Sequence, residues 1–126
     1  MYTMMQVCRE LDMTYQTLKF YCNEGLVPNV KRDHNNRRVF DEKDVKWIKD
    51  LTCLKKCGMS IQEMKKYLEL CLQGEATIVS RKKMLARKQE ELRASIKELE
   101  DSISYIGWKQ NFYDEVLSGK RPYVSN

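Results

Sequence analysis

The chain has 126 residues, 42% of them apolar, which is enough for one compact domain plus an extension and argues against disorder. No apolar run approaches the roughly 18 residues that a membrane span requires. The opening Met-Tyr-Thr-Met-Met has neither the basic start nor the apolar stretch of an export signal, so a cytoplasmic protein with no membrane partner is expected. Net charge is +5, from 23 Lys and Arg against 18 Asp and Glu, an excess that suits an anionic partner.

Thr3, with Gln6 three residues on, has the spacing of a capping box and predicts a short helix over residues 4–11 that buries Val7, Cys8 and Leu11. Thr14 can cap a second helix over residues 15–24, with Gly25 as its left-handed stop and Pro28 preventing any continuation. Two short helices joined by a turn of about three residues have helix-turn-helix dimensions. Residues 30–32 and 38–40 read as short strands around Asp33-His34-Asn35-Asn36, residue types that tolerate the positive φ a hairpin needs. That hairpin is a wing, and Lys31, Arg32, Arg37 and Arg38 concentrate positive charge on it against Asp33 alone.

Asp41, followed by Asp44, opens a third helix that continues to Cys57 and stops at Gly58. Ser60 with Glu63 is another capping box, and the fourth helix it opens runs over residues 61–72 and ends at Gly74. From residue 77 to residue 117 there is no proline, so one helix of about 40 residues and roughly 60 Å is expected, with Gly107 marking a bend after which the end packs elsewhere. A domain this small cannot cover such a helix. Leu85, Leu92, Leu99 and Ile106 form a heptad d series that Ile78 and Tyr113 extend, and Ile96 and Ile103 fall at a. Lys82, Gln89 and Gln110 take other a positions, which favours a defined partner and register. The expected architecture is mainly α: a winged helix-turn-helix over 1–73, a coiled-coil helix pairing two copies over 74–117, and a short tail over 118–126. With so short a tail, no separate effector domain is expected to follow.

Five cysteines, at 8, 22, 53, 57 and 71, have no disulfide rhythm and fit a reducing compartment. A structural zinc site needs four paired Cys or His ligands, and the sole histidine, His34, is far in sequence from the thiols, so no metal is expected. The same isolation argues against a Cys-His enzyme, and there is no Gly-rich phosphate loop, so neither catalysis nor a cofactor is expected.

At this point Tyr2-Thr3, Val7, Leu11, Thr14, Thr17-Leu18, Tyr21, Glu24-Gly25-Leu26, Pro28, Arg32-Asp33, Asn35, Arg38, Phe40 and Asp44, with Gly58-Met59-Ser60 and Ile61, together carry a close resemblance to the MerR family of transcription regulators. It is strong over residues 1–73 and looser along the long helix. Lys19 and Phe20 stand where the family commonly shows Arg and Tyr, Cys22 where Glu is usual, and Asn36-Arg37 where Gly-Tyr is common.

The resemblance implies a regulator that binds double-stranded promoter DNA as a homodimer on a pseudo-palindromic site, distorting it to realign promoter elements for RNA polymerase. In a helix-turn-helix the N-terminal residues of the second helix face base edges, here Tyr15, Gln16 and Thr17 after Thr14, with Lys19 next along. Gln16 is the best base reader, because its amide can both donate to and accept from adenine. Lys31, Arg32, Arg37 and Arg38 would face flanking phosphates. Tyr21 resembles a tyrosine that contacts the DNA backbone, although an aromatic at this position could equally cover the core. Lys55 and Lys56 match the family's second wing.

Metal-sensing relatives carry a cysteine loop beyond the long helix, and residues 118–126 contain none, so metal sensing is not expected. On a helical wheel at about 100° per residue, Trp47, Leu51 and Leu54 share one arc of the third helix, and Cys53 lies roughly 100 to 160° away with Cys57 about 40° from it. Their face also carries Lys46, Lys49 and Asp50, and cationic surroundings of this kind are where reactive cysteines occur. Cys53 also stands where the aldehyde- and electrophile-responsive (AdhR- and NmlR-like) subgroup carries its reactive cysteine, and Lys109 and Phe112-Tyr113 resemble that subgroup too. Cys53, with Cys57, is the candidate sensor, small buried filler being the other reading; Cys8, Cys22 and Cys71 read as packing. The alternative function is a coiled-coil interaction module whose helix-turn-helix has lost DNA recognition.

Overall fold

Local side-chain chemistry sets the helix starts. In the computed structural model, which describes residues 1–124, Thr3, Asp41 and Ser60 each accept the N3 backbone N–H while the N3 side chain accepts the cap's own N–H, opening α1 (Met4–Leu11), α3 (Glu42–Lys56) and α4 (Ile61–Leu72). Thr14 Oγ1 accepts from Thr17 N–H at 3.1 Å and opens α2 (Tyr15–Asn23). Residues 125 and 126, the end of the tail expected over 118–126, lie outside the described residues.

The wing hairpin pairs β2 (Lys31–Arg32) with β3 (Arg38–Phe40), and Asn36, at φ 62°, supplies the left-handed residue of its turn. A further strand, β1 (Tyr2–Thr3), adds to the other side of β3 with Tyr2 opposite Phe40, giving the antiparallel order β1-β3-β2. The chain start is thus pinned against the wing, and α1 leaves directly from the strand.

The core lies between α1, α2, α3 and α4. Val7, Leu18, Leu26, Phe40, Ile48, Leu51 and Met64 are fully buried, with Met4, Cys8, Tyr21, Val45 and Met59 around them. Leu11, expected in the core, is half-buried at its edge. Two polar contacts tie the segment that follows α2 to the rest. Trp47 Nε1 donates to the Leu26 carbonyl at 2.7 Å, and Lys65 Nζ pairs with Glu24 at 2.9 Å.

After a single tight turn at Gly74–Thr77, α5 runs from Ile78 to Leu117 with no buried residue. The helix continues unbroken through Gly107, the site of the expected bend. One glycine costs about 1 kcal/mol in a helix, which its uninterrupted hydrogen-bond ladder offsets when no proline follows. The chain divides into two compact units, Met1–Lys88 and Gln89–Asn126. In the second, Tyr105, Trp108 and Phe112 stack at centroid distances of 6.3 and 6.1 Å, and Lys109 Nζ lies 5.8 Å from the rings of both Trp108 and Tyr113. Among the described residues no helix is long and apolar enough to cross a membrane.

Candidate nucleic-acid interface

The start of α2 and the wing meet at one groove. Tyr15, Arg32, Asp33, Asn36, Arg37, Arg38 and Val39 line it together with Thr3, Met4 and Met5, around a volume of about 460 Å³. Three guanidinium groups beside an exposed aromatic ring form a cationic trough, the surface an anionic backbone requires.

Internal contacts hold that trough in shape. Arg38 Nη2 donates to Asn23 Oδ1 at 2.6 Å, fixing the wing against the end of α2, and Arg32 Nη1 donates to the Asn36 carbonyl across the turn at 2.9 Å. Asp33 Oδ1 accepts from the backbone N–H groups of Asn35 and Arg37, and the Arg37 N–H, its stronger partner, holds the Asp33 carboxyl below its usual range. Arg37 itself projects into solvent. Lys31, by contrast, directs its ammonium away from the turn onto Asp41 at 2.9 Å and Asp44 at 3.4 Å, so any phosphate must compete with two carboxylates for it.

A second groove, of about 330 Å³, joins Gln16, Thr17, Phe20 and Tyr21 of α2 to Lys55 of α3 and Ile61 of α4. Gln16 and Lys19 are exposed. Thr14 is committed to capping, and its hydroxyl donates to Thr17 Oγ1 at 2.8 Å. Tyr21 divides between two environments. Its ring is core, 4% exposed, and burial raises the phenol pKa. Among the described residues its hydroxyl has no hydrogen-bond partner and no fully buried polar side-chain atom lacks one, so the oxygen reaches the groove surface.

Residues 2–71 match the MerR HTH family regulatory protein model, and residues 45–106 match the MerR DNA-binding model. The chain belongs to the MerR family. An HTH-type transcriptional regulator of Haemophilus influenzae is 33% identical over 90% of this chain and 84% of its own length, and AdhR of Bacillus subtilis is 37% identical over 69% and 62%. The crystal structure of HiNmlR, a MerR family regulator lacking the sensor domain and bound to promoter DNA, superposes with a TM-score of 0.75 at 32% identity over 93% of each chain. A putative MerR family regulator from Listeria monocytogenes, with a TM-score of 0.80 at 24% identity, supports the fold. This MerR protein is a DNA-binding transcriptional regulator of the subgroup close to HiNmlR and AdhR, and not an enzyme.

Among its thiols, Cys53 is exposed on α3 and Cys57, the helix cap, is half-buried. Cys8 is buried, and burial raises its pKa. Cys22 packs against the core, where burial raises its pKa and the nearby Arg38 and Arg32 partly oppose that. Cys71 Sγ lies 3.8 Å from Arg81 Nη1, at the junction of α4 and α5. Among the described residues no three His, Cys, Asp or Glu side chains converge as metal ligands.

Sequence reasoning missed Thr3, Met4 and Met5 as lining of the arginine groove, and Phe20 and Ile61 as walls of the second. It also missed Lys88 of α5, whose ammonium reaches Glu63 at 3.2 Å and the Gly58 carbonyl at 3.4 Å. None of these has a local signal, because each acquires its place through residues distant in sequence.

Proposed function

We propose that two copies of this chain act in the cytoplasm as a homodimer on a pseudo-palindromic promoter site, each inserting the start of α2 into a major groove. Gln16 reads a base edge and Tyr15 and Thr17 flank it. Arg32, Arg37 and Arg38 cradle a phosphate beside Tyr15, while Lys19, the Tyr21 hydroxyl, Lys55 and Lys56 meet the backbone on the other side of α2. The observation that carries this reading is the convergence of three wing arginines with Tyr15 on one open groove.

Dimerisation through α5 follows from its exposed seam. Leu85, Leu92, Ile96, Leu99, Ile103, Ile106 and Tyr113 lie at a or d, and each is at least 40% exposed in the single chain. A second copy covers them by heptad packing. Lys82, Lys83 and Arg87 precede the seam's centre and Glu98, Glu100 and Asp101 follow it, so an antiparallel pair sets opposite charges against each other. The paired helices fix the half-site spacing, and holding both arms distorts the duplex between them, which realigns the promoter for RNA polymerase.

Cys53, exposed on a face with Lys46 and Lys49, is the thiol that reacts with small aldehydes or other electrophiles. A second reading, an interaction module that does not recognise DNA, is favoured only by the departures at Lys19 and Asn36-Arg37. Binding of the duplex upstream of the chain's own gene, followed by fluorescence anisotropy across a salt series, tests the main reading. Salt-dependent binding at least tenfold tighter than to a scrambled duplex is expected. Equal affinity for both duplexes sinks sequence-specific regulation. Cys53→Ser should keep that affinity and lose the response to aldehydes; an unchanged response removes the thiol.

A further inference from the structure

The last turn of α3 brings together two features. It carries the only pair of cysteines one helical turn apart in the chain, Cys53 and Cys57, and between them Lys55, which lines the second groove, and Lys56 beside it. The backbone bond that holds this turn is the Cys57 N–H to the Cys53 carbonyl, at 3.1 Å, so the two thiol-bearing residues are also the two ends of one hydrogen bond.

We infer that Cys57 is the resolving thiol of Cys53, and that a hydroperoxide drives closure of a Cys53–Cys57 disulfide that remodels this turn and displaces Lys55 and Lys56 from DNA. This deepens the reading of Cys53 as the reactive thiol and rests on it. In the first step the Cys53 sulfur attacks the peroxide, the O–O bond breaks, one oxygen stays as the sulfenic hydroxyl and the other leaves as alcohol or water. In the second the Cys57 sulfur attacks the sulfenic sulfur. An S–S bond forms, the S–O bond breaks, and the oxygen leaves as water with the thiol proton and the hydroxyl proton.

Residues four apart on a helix hold their Cβ atoms about 5–6 Å apart, whereas a disulfide requires about 3.5–4.5 Å. The bond therefore cannot close on an intact turn. The place where the turn can yield is here, because Cys57 is already the cap residue and Gly58 follows it at φ 87° with open space around it. The movement is bounded on both sides by core residues, Leu51 before and Met59 after, both essentially buried. Lys55 lines the groove shared with Gln16, Thr17 and Tyr21, so a shift of this turn reaches the reading helix directly.

The test treats the full-length protein, bound to its promoter duplex or free, with cumene hydroperoxide, then alkylates it and maps peptides without reduction. The expected product is one peptide containing both Cys53 and Cys57, lighter by two hydrogens, with DNA affinity reduced about tenfold and a shallower salt dependence. In Cys57→Ser, and equally in Cys57→Ala, Cys53 should stop at a sulfenic acid that dimedone traps, and the affinity should change by less than in wild type. Dimedone capture at Cys53 of wild type with Cys57 still alkylatable overturns the inference while leaving Cys53 as the reactive thiol. So does a disulfide from Cys53 to Cys71 or to a second chain. No reaction at Cys53 with either hydroperoxide or formaldehyde overturns both.

Discussion

Lys31 Nζ, on the first strand of the wing, sits 2.9 Å from Oδ2 of Asp41, the residue that caps α3. The wing cation thus serves as a clasp between hairpin and helix, and the same carboxylate caps the helix through the Asp44 N–H at 2.8 Å. That backbone bond, reinforced by Lys31, lowers the Asp41 pKa from 3.8 to about 2. Because the folded pKa lies below the unfolded one, this contribution to stability is complete above about pH 4 and is lost as pH falls toward 2. Asp41→Asn keeps a capping oxygen but removes the charge. Urea midpoints of wild type and Asp41→Asn should therefore differ at neutral pH and converge as the pH drops through that window. A gap independent of pH would show that the ionised clasp does not stabilise the fold.

Gly58 stands at φ 87° between α3 and Ser60, the cap of α4, and nothing lies within 4 Å of where its Cβ would be. Its requirement is therefore conformational. Gly58→Ala should cost about 1–2 kcal/mol from the left-handed backbone, and Gly58→Asn clearly less, because asparagine tolerates that region. Thermal unfolding of the two variants measures the difference. Equal losses would mean that steric contact, not φ, is the constraint.

Much of this arrangement is legible from local pairs of residues. Thr3 with Gln6, Asp41 with Asp44 and Ser60 with Glu63 mark three helix starts because a capping box is complete within four residues, and the wing is announced by its turn residues and the arginines around it. What the sequence hides is non-local. β1 is two residues long, too short for any alternation, and exists because Tyr2 meets Phe40. Lys31 reads as one more wing cation until Asp41 and Asp44 are seen beside it. Tyr21 resists a single assignment because its ring and hydroxyl belong to different environments. Gly107 reads as a bend because composition alone cannot weigh one poor helix former against the long ladder around it.

Gln16 and Arg37 should fail in different ways. Both are exposed, but Gln16 lies at the start of the reading helix and Arg37 at the wing's tip. Gln16→Ala should weaken the specific duplex by about 1–3 kcal/mol and leave a scrambled duplex nearly unaffected, so discrimination falls. Arg37→Ala should weaken both duplexes alike and reduce the salt slope by about one per half-site. Anisotropy titrations of each variant on both duplexes over a salt series separate them. A Gln16→Ala loss that is equal on both duplexes would remove it from base reading.

The seam of α5 has the largest consequence, because every DNA contact argued for counts twice only if two chains are joined. Leu92 and Leu99 occupy successive d positions and are 40% and 64% exposed in the single chain. Fully burying an exposed leucine supplies about 1.5–3 kcal/mol, of which pairing supplies the part these two still expose, and in a two-fold pair each substitution is felt in both copies. If α5 pairs two copies as proposed, wild type should sediment as a dimer and Leu92→Lys with Leu99→Lys as single chains at micromolar concentration, as read by sedimentation velocity. The melting of unit Met1–Lys88, whose core these residues do not enter, should change little. DNA affinity should then fall to that of one half-site, and the two half-sites should fill independently. Full-affinity binding by a variant that sediments as one chain would show that the two reading heads are not held together by this helix.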